Sequence, residues 1–207
     1  MVGSGAMQGS LGVAERSADR EAMMGVIGTS GRRASIAAPS TDVDLLLQKL
    51  YSAPPAQRRM EAQAWGFVVV QGRERVLRYT DRAKTFLLSG RPDTEAERCV
   101  SDVLESESFH VYFDVGTLVA ICAPNGDGYA EADCWLAARN LELAAFACGM
   151  GACCTGFAVP LLRRPEVRDE LGIPEGLTCF AALMVGVARA MPPSVPRPRP
   201  VVLSWVR

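Results

Sequence analysis

The chain has 207 residues, with 22 lysines and arginines against 23 aspartates and glutamates and a formal net charge of −1. A chain of this length can bury a sizeable core as one domain. Because the charges balance, no general positive field exists to attract nucleic acid or an acidic membrane surface. The composition therefore excludes polymer binding by bulk charge, and we expect no nucleic-acid and no membrane partner.

The cysteines and the amino terminus indicate the compartment. Seven cysteines, an odd number without a Cys-x-x-Cys pair, fall mostly in apolar runs, which is typical of reduced and buried thiols. Residues 1–12 are small and polar, so they are not expected to act as a secretory signal. No stretch reaches the roughly 18 apolar residues that a bilayer crossing needs. We expect a cytoplasmic protein with a flexible tail over 1–17 and a single domain over 18–207.

The first half of the chain predicts helices followed by a strand and a helix. Apolar residues at helical spacing predict a helix over 18–27 and, after the N-cap candidate Thr41, a second helix over 43–50. The aromatic and β-branched run over 65–70 predicts a buried strand. A further helix is predicted over 74–88.

The middle of the chain alternates between the two kinds of element. A helix is predicted over 96–104, and the runs over 109–113 and 117–122 have strand character. The segment 130–148 carries an apolar stripe with many alanines and predicts the longest helix, ended by Gly149. This interleaving of helices and strands predicts a single α+β layered domain.

The last part of the chain predicts a core strand and an arm. Pro165 opens a short helix that Gly172 ends, and the run over 179–188 has the composition of a strand covered on both faces. Prolines then keep residues 190–207 extended, with a last isolated strand predicted over 201–206. Such an arm can pair with a sheet edge on another subunit, so we expect a homodimer.

Three strings of the chain resemble the FMN-dependent nitroreductase family. Residues 63–70, Gln-Ala-Trp-Gly-Phe and three valines, resemble the Gln-Pro-Trp-x-Phe string at the family's first strand, with Ala64 in place of proline. Residues 133–156 resemble the family's alanine-rich dimer-interface helix and the Gly-x-Gly loop after it. Residues 171–176, Leu-Gly-Ile-Pro-Glu-Gly, match the family's Leu-Gly-Ile-Pro-x-Gly string, which is the most specific of the three.

The resemblance implies both a fold and an activity. It implies an α+β fold with a central, mostly antiparallel sheet flanked by helices, a C-terminal arm exchanged within a homodimer, and FMN sites at the dimer interface. It further implies that NADH or NADPH reduces FMN, leaves, and is replaced by a nitroaromatic, quinone or similar small planar acceptor. This ping-pong hydride transfer needs a held cofactor and exclusion of water rather than a protein acid or base.

The resemblance also suggests where the phosphate of FMN binds, since phosphate prefers hydroxyls, N–H groups and guanidinium groups. The implied phosphate contacts are Ser30, Arg32, Arg33, Arg197 and Arg199. Two alignments with the family's Arg-x-Ser-x-Arg motif stay open. One matches Ser30 and Arg32 and puts Gly28 at the first arginine, and the other puts Arg32 at the first arginine and Ala34 at the serine. The alternative interpretation is a solvated basic loop and an arm whose arginines serve solubility.

The flavin ring is implied to lie against two further segments. Gln63 is placed like the family glutamine that hydrogen-bonds the flavin, while the family asparagine upstream has no clear equivalent. A loop over 151–156 could direct backbone N–H groups at the ring, since glycine allows close approach. The implied contacts in that loop are Cys154, Thr155 and Gly156. Trp65 could stack on the flavin, but its position among apolar neighbours favours the core.

Several side chains have a competing interpretation. A thiolate at Cys153 or Cys154 beside a flavin would suggest disulfide or peroxide chemistry, whereas small packing residues are the simpler interpretation. His110 is the one histidine in the chain, so it can complete neither a metal site nor a catalytic triad. The departures from the family pattern leave two alternatives open. One is a degenerate module without nitroreductase activity, and the other is a flavoenzyme with a different reaction, decided by an acceptor pocket that includes 91–113.

Overall fold

The computed structural model describes residues 35–37, 65–90, 95–107, 109–112, 115–126, 128–190 and 199–206, and these form one sheet of five strands flanked by helices. The strands are β1 (Ser35–Ala37), β2 (Gly66–Gln71), β3 (Thr117–Pro124), β4 (Met150–Cys154) and β5 (Leu177–Ala190). The helices are α1 (Arg73–Leu88), α2 (Glu95–Glu105), α3 (Ala130–Ala147), α4 (Val159–Leu162) and α5 (Pro165–Glu170), and a 3-10 helix (Gly156–Ala158) leads into α4. The predicted α+β class with an antiparallel sheet is confirmed.

β5 lies at the centre of the sheet. β3 and β4 both pair with residues 183–185 of β5, so they must occupy its opposite edges. β2 pairs with β3, β1 pairs with residues 187–190 of β5, and all of these pairings are antiparallel. The apolar run predicted over 179–188 is therefore an interior strand.

Alternate residues of the central strands point to two separate cores, as the two-residue period of a strand requires. On the α1 face, the sheet packs against side chains of α1, α2, α4 and α5. On the α3 face, the buried cluster draws its helical residues from α3. In β3, for example, Leu118 and Ala120 belong to the α1 face, whereas Val119 and Ile121 belong to the α3 face. The prediction that the strand over 179–188 is covered on both sides is confirmed.

Most of the predicted elements in the described residues appear close to their predicted bounds. The predicted helices over 74–88, 96–104 and 130–148 correspond to α1, α2 and α3. Gly149 and Gly172 end α3 and α5 with φ values of 72° and 65°, a backbone conformation that favours glycine. The sequence signals for helix ends were therefore read correctly at both positions.

The prediction of a strand over 109–113 is wrong. Residues 109–112 form a turn, in which the Phe109 N–H donates to the Ser106 carbonyl at 3.1 Å and the Val115 N–H to the Tyr112 carbonyl at 3.1 Å. Val111 and Tyr112 of this turn are nevertheless buried in the α1 face, and Phe109 packs against it. The apolar run reflects burial of a turn, and composition alone cannot distinguish a buried turn from a short buried strand.

The segment predicted as a loop over 151–156 is largely a strand. β4 extends through Cys154, with Gly151 opposite Gly186 and Cys153 opposite Met184. Glycine is depleted in strands because it provides no side chain to pack, which is why the pattern indicated a loop. Pairing with β5 and packing of Ala152 and Cys154 on the α3 face override that local preference.

The strand predicted over 201–206 is not formed within the described residues of this chain. Residues 201–206 are exposed, with Leu203 reaching 94% and Val206 reaching 91%. A strand needs a partner for its backbone groups, and the described part of the chain offers this segment none.

Some expectations fall outside the part of the chain that the structure describes. The tail over 1–17 and the predicted helices over 18–27 and 43–50 lie there. Among the described residues, no helix combines the length and the hydrophobicity that a membrane crossing requires.

Candidate functional site

The end of β4 brings three of the candidate residues together. Thr155 is extended and buried, and its N–H donates to the Ala182 carbonyl of β5 at 2.9 Å. Gly156 follows as the first residue of the 3-10 helix and is exposed. Apart from Gly156 itself, its chain neighbours and the adjoining helical backbone, no heavy atom of the described residues lies within 4 Å of the position that a Cβ would occupy at Gly156. A flat ligand can therefore approach the Gly156 backbone closely.

A buried carboxylate fixes the end of β4 to α3. Glu142 of α3 is 6% exposed, and its Oε1 accepts the N–H of Cys154 at 3.1 Å. Its Oε2 accepts a hydrogen bond from Nη1 of Arg139 at 2.9 Å. A buried charge is costly unless it is paired and hydrogen-bonded, and both conditions hold here. Glu142 thus positions the backbone immediately before Thr155 and Gly156.

Glu142 is not among the residues predicted from the sequence. Its one signal was a carboxylate inside the alanine and leucine run of the longest helix, where an acidic side chain facing the sheet is unexpected. Its partner, the backbone N–H of Cys154, is 12 residues away in the chain and belongs to a strand that was expected to be a loop. The pairing depends on the packing of α3 against β4.

The Cys154 thiol is held protonated. Burial, and then the charge of Glu142 and a hydrogen bond to it, raise the pKa of the Cys154 thiol well above its ordinary value. A thiolate is the reactive form of cysteine, so this environment disfavours redox chemistry at Cys154. The geometry supports the interpretation of Cys154 as a small packing residue of the α3 face.

A second concave surface lies on the other side of the sheet, between α1 and the α4–α5 segment. This groove has a volume of about 420 Å³. It is lined by Asp81, Arg82, Thr85, Phe86, Ser89, Leu161, Arg164 and Glu166. Arg82 is paired with Glu170, and Arg164 is paired with Glu166 at 3.0 Å. Because both guanidinium groups already have carboxylate partners, the groove is a poor receptor for a phosphate, and we do not assign the cofactor to it.

A comparison with known families identifies the fold. Residues 37–187 match the model of the nitroreductase family. The chain belongs to the nitroreductase family. The match contains β2, β3 and β4 in full and β5 up to Val187, so it includes the end of β4. The resemblance found in the three strings is confirmed.

Solved structures resemble this nitroreductase-family chain over most of its length. A nitroreductase with bound FMN from Bacteroides fragilis NCTC 9343 is 22% identical, with a TM-score of 0.67 over 89% of this chain and 97% of that chain. The FMN and NADPH-dependent nitroreductase NfnB from Sphigopyxis sp. strain HMH is 17% identical, with a TM-score of 0.62 over 88% and 98%. An iodotyrosine deiodinase bound to FMN and 3-iodo-L-tyrosine is 20% identical, with a TM-score of 0.63 over 87% and 97%. No curated protein sequence matches the chain.

The structure describes only one of the remaining candidate residues of this nitroreductase-family chain. Arg199 is described and exposed. The other implied cofactor contacts, Ser30, Arg32, Arg33, Gln63 and Arg197, lie outside the described residues. The structure therefore brings together Cys154, Thr155 and Gly156 and leaves the phosphate contacts as predictions.

Two residues with competing interpretations can be placed. Trp65 is half-buried and packs against the α3-face core, which supports its interpretation as a core residue. His110 is exposed in the segment before the turn at 111–112, not at the start of a strand. Within the described ranges, no group of three or more histidine, cysteine, aspartate or glutamate side chains could hold a metal ion.

Proposed function

We propose that this protein binds FMN and uses it to pass electrons from NADH or NADPH to a nitroaromatic, a quinone or a similar small planar acceptor. Membership of the nitroreductase family supports a flavin oxidoreductase, and several of the similar structures hold FMN. The observation that carries the proposal is the placement of the exposed Gly156 directly after a strand that Glu142 and β5 fix in position.

The chain's own residues would hold and orient the cofactor. The Gly156 backbone would lie against the flavin ring, with Thr155 and Cys154 forming the rigid edge behind it and Gln63 on another side. The phosphate contacts would come from Ser30, Arg32, Arg33, Arg197 and Arg199, which offer hydroxyl and guanidinium donors. When bound, FMN supplies the hydride transfer, and the protein contributes binding, orientation and exclusion of water.

We further propose a homodimer in which the C-terminal arm is exchanged. Apolar side chains stand exposed or half-buried on α3, with Leu136 52% exposed and Trp135 and Leu143 half-buried. The arm adds exposed Val201, Leu203 and Trp205. Large apolar side chains exposed in this way are available for a protein interface. In a dimer the arm would carry Arg199, and the neighbouring Arg197, toward a site on the partner.

The visible absorption spectrum of the purified protein tests the activity. FMN is added, unbound flavin is removed, and NADH or NADPH is then added without oxygen. We expect a flavin band that bleaches with one of the nicotinamides and returns when a nitroaromatic, a quinone or a halogenated phenol is added. A protein that stays colourless after loading with FMN contradicts the proposal.

A second candidate is a flavin-binding or scaffold module without reductase activity. It is favoured by one observation, namely that the N–H groups of Cys154 and Thr155 are bonded to Glu142 and Ala182, which removes two donors from the cofactor. The same spectrum separates the candidates. A retained flavin band that neither nicotinamide bleaches would favour the module and contradict the enzyme.

A further inference from the structure

Two cysteines stand opposite each other in the α1-face core, on the side of the sheet away from α3. Cys122 of β3 and Cys179 of β5 are direct partners in the antiparallel register, and they are 2% and 0% exposed. Both belong to the same buried cluster. Directly opposed residues on one face have Cβ atoms ~4.5–5.5 Å apart, close to the ~3.5–4.5 Å of a disulfide. The register shift between Ile121 and Cys122 occurs at this pair.

The two thiols interact with each other. The Cys179 thiol donates a hydrogen bond to the Ala181 carbonyl oxygen at 3.4 Å, and Cys122 stands directly opposite in the register. The contact with Cys179, together with the positive charge of Arg168, lowers the pKa of the Cys122 thiol despite its burial. The contact with Cys122 and burial raise the pKa of the Cys179 thiol. The Arg168 charge therefore favours a thiolate at Cys122.

Two buried polar groups near this pair have no hydrogen-bond partner among the described residues. The Arg168 Nε and the Tyr112 hydroxyl are buried, and neither has a hydrogen-bond partner among the described residues. Tyr112 is close enough to Cys179 for the thiol to raise the pKa of the phenol, although burial is the larger cause. Arg163 donates from Nε to the Cys179 carbonyl at 2.8 Å. Buried polar groups left unpaired in this way are uncommon in folded proteins, and a redox role is one of the explanations for them.

The pair lies close to one end of the sheet. β3 ends two residues after Cys122, at Pro124, and β5 begins two residues before Cys179, at Leu177. Beyond these two strand ends, the Asn125 N–H donates a hydrogen bond to the Gly176 carbonyl. Strand ends open locally at lower free energy than the middle of a core, which gives a small oxidant a route to the sulfur atoms.

We propose that Cys122 and Cys179 are a redox modification site that forms an intramolecular disulfide when hydrogen peroxide oxidises Cys122. The Cys122 thiolate attacks one peroxide oxygen and the O–O bond breaks, leaving a sulfenic acid and a hydroxide ion. The Cys179 sulfur then attacks the Cys122 sulfur, the S–O bond breaks, and the departing hydroxide takes the Cys179 proton as water. The hydroxide of the first step takes up the proton that Cys122 had released. In total, two thiols lose two electrons and one peroxide becomes two molecules of water.

The full chain is tested by exposure to graded hydrogen peroxide, alkylation of the remaining thiols and peptide mapping by fragmentation mass spectrometry. We expect the loss of two thiols at once, a mass decrease of two hydrogen atoms, and a covalent link between the peptides that contain Cys122 and Cys179. Dithiothreitol should reverse all three changes. Oxygen adducts without that link, or a link between other cysteines, would overturn the proposal.

Variants assign the order of the two steps. Cys122→Ser should leave the Cys179 thiol intact at peroxide doses that oxidise the native protein. Cys179→Ser should trap Cys122 as a sulfenic acid that reacts with dimedone. Cys148→Ser, at the half-buried end of α3, is the matched control and should form the link as the native protein does. Oxidation of Cys179 in the Cys122→Ser variant at unchanged dose would contradict the assigned order, and the native peptide map decides the proposal even where a variant does not fold.

Discussion

The two faces of the sheet are built from alternate residues of the same strands, but they are covered in different ways. The α1 face is covered by four helices, and its rim is closed by polar contacts within the chain, such as those of Glu170 with Tyr79 and Arg82. The α3 face is covered by one helix, and that helix carries the exposed Leu136 on its outer surface. The chain therefore completes the first core by itself, whereas under the proposed homodimer the second face is completed by another copy of the chain.

The largest expected effect is in the core that the chain completes alone. Leu162 of α4 is 0% exposed in the α1 face, so Leu162→Ala should lower the free energy of unfolding by about 2–5 kcal/mol through lost burial and a cavity. Urea unfolding followed by circular dichroism measures the loss. Val103→Ala, at a position on α2 that is 51% exposed, is the control and should change it by less than about 0.5 kcal/mol. Equal losses in the two variants would refute the assignment of this core.

The next largest effect is expected on dimer formation, and it compares the α3 face with the α1 face directly. Leu136 on α3 and Val103 on α2 are 52% and 51% exposed, so an arginine at either position costs the isolated chain little. Leu136→Arg should weaken the homodimer about 30-fold or more, which corresponds to an interface residue worth about 2 kcal/mol. Val103→Arg should leave the dimer unchanged. Sedimentation over a range of protein concentrations measures both, and equal behaviour of the two variants would mean that the α3 face is not the interface.

A smaller effect is expected at the polar contact of the α3 face. Glu142→Gln keeps an oxygen for the Cys154 N–H but removes the charge that Arg139 binds, so we expect a loss of about 1–3 kcal/mol in the free energy of unfolding. FMN affinity should fall with it, because the backbone before Gly156 loses its anchor. Glu131→Gln, an exposed change in the first turn of the same helix, is the control. A Glu142→Gln variant as stable as the control would show that Glu142 does not fix β4.

The smallest effect is a pH dependence on the rim of the α1 face. Hydrogen bonds from Arg82 and then Tyr79 lower the pKa of Glu170 below its usual 4.5, so its contribution is present at neutral pH and is lost as the pH falls through the folded-state pKa. Both partners of the ion pair are more than a third exposed, and screening limits the contribution to less than about 1 kcal/mol. Glu170→Gln should therefore be slightly less stable than the native protein at pH 7, and the difference should shrink as the pH falls through the folded-state pKa of Glu170. A difference that stays unchanged as the pH is lowered until the native protein begins to unfold would argue against an ionic contribution.

Local pattern was sufficient for the elements that carry their own periodicity. No distant residue is needed to predict a helix from the apolar stripe of α3 or a strand from the apolar run of β5. The same holds for the helix ends at Gly149 and Gly172. The turn at 109–112 and the strand β4 were predicted wrongly because tertiary packing decides them. An apolar turn buried against α1 looks like a strand, and a glycine-rich strand held by β5 and α3 looks like a loop.

The residues of the candidate site also divide into those that the sequence could predict and those that it could not. Thr155 and Gly156 could be found from the family string, and the structure gives them a fixed strand behind and open space in front. Glu142 could not be found, because its role depends on a contact between a helix and a strand edge. The opposition of Cys122 and Cys179 also required the strand register, since the two cysteines are far apart in the sequence.

The most direct test of the account is a joint measurement of mass and flavin content by size-exclusion chromatography with light scattering and absorbance after loading with FMN. The account predicts a dimer with one FMN per chain, and in Leu136→Arg it predicts a folded monomer that has lost the flavin together with its partner. A native monomer that binds FMN stoichiometrically, or a Leu136→Arg monomer that retains it, would contradict the claim that the α3 face and the flavin site are completed by a second copy of the chain.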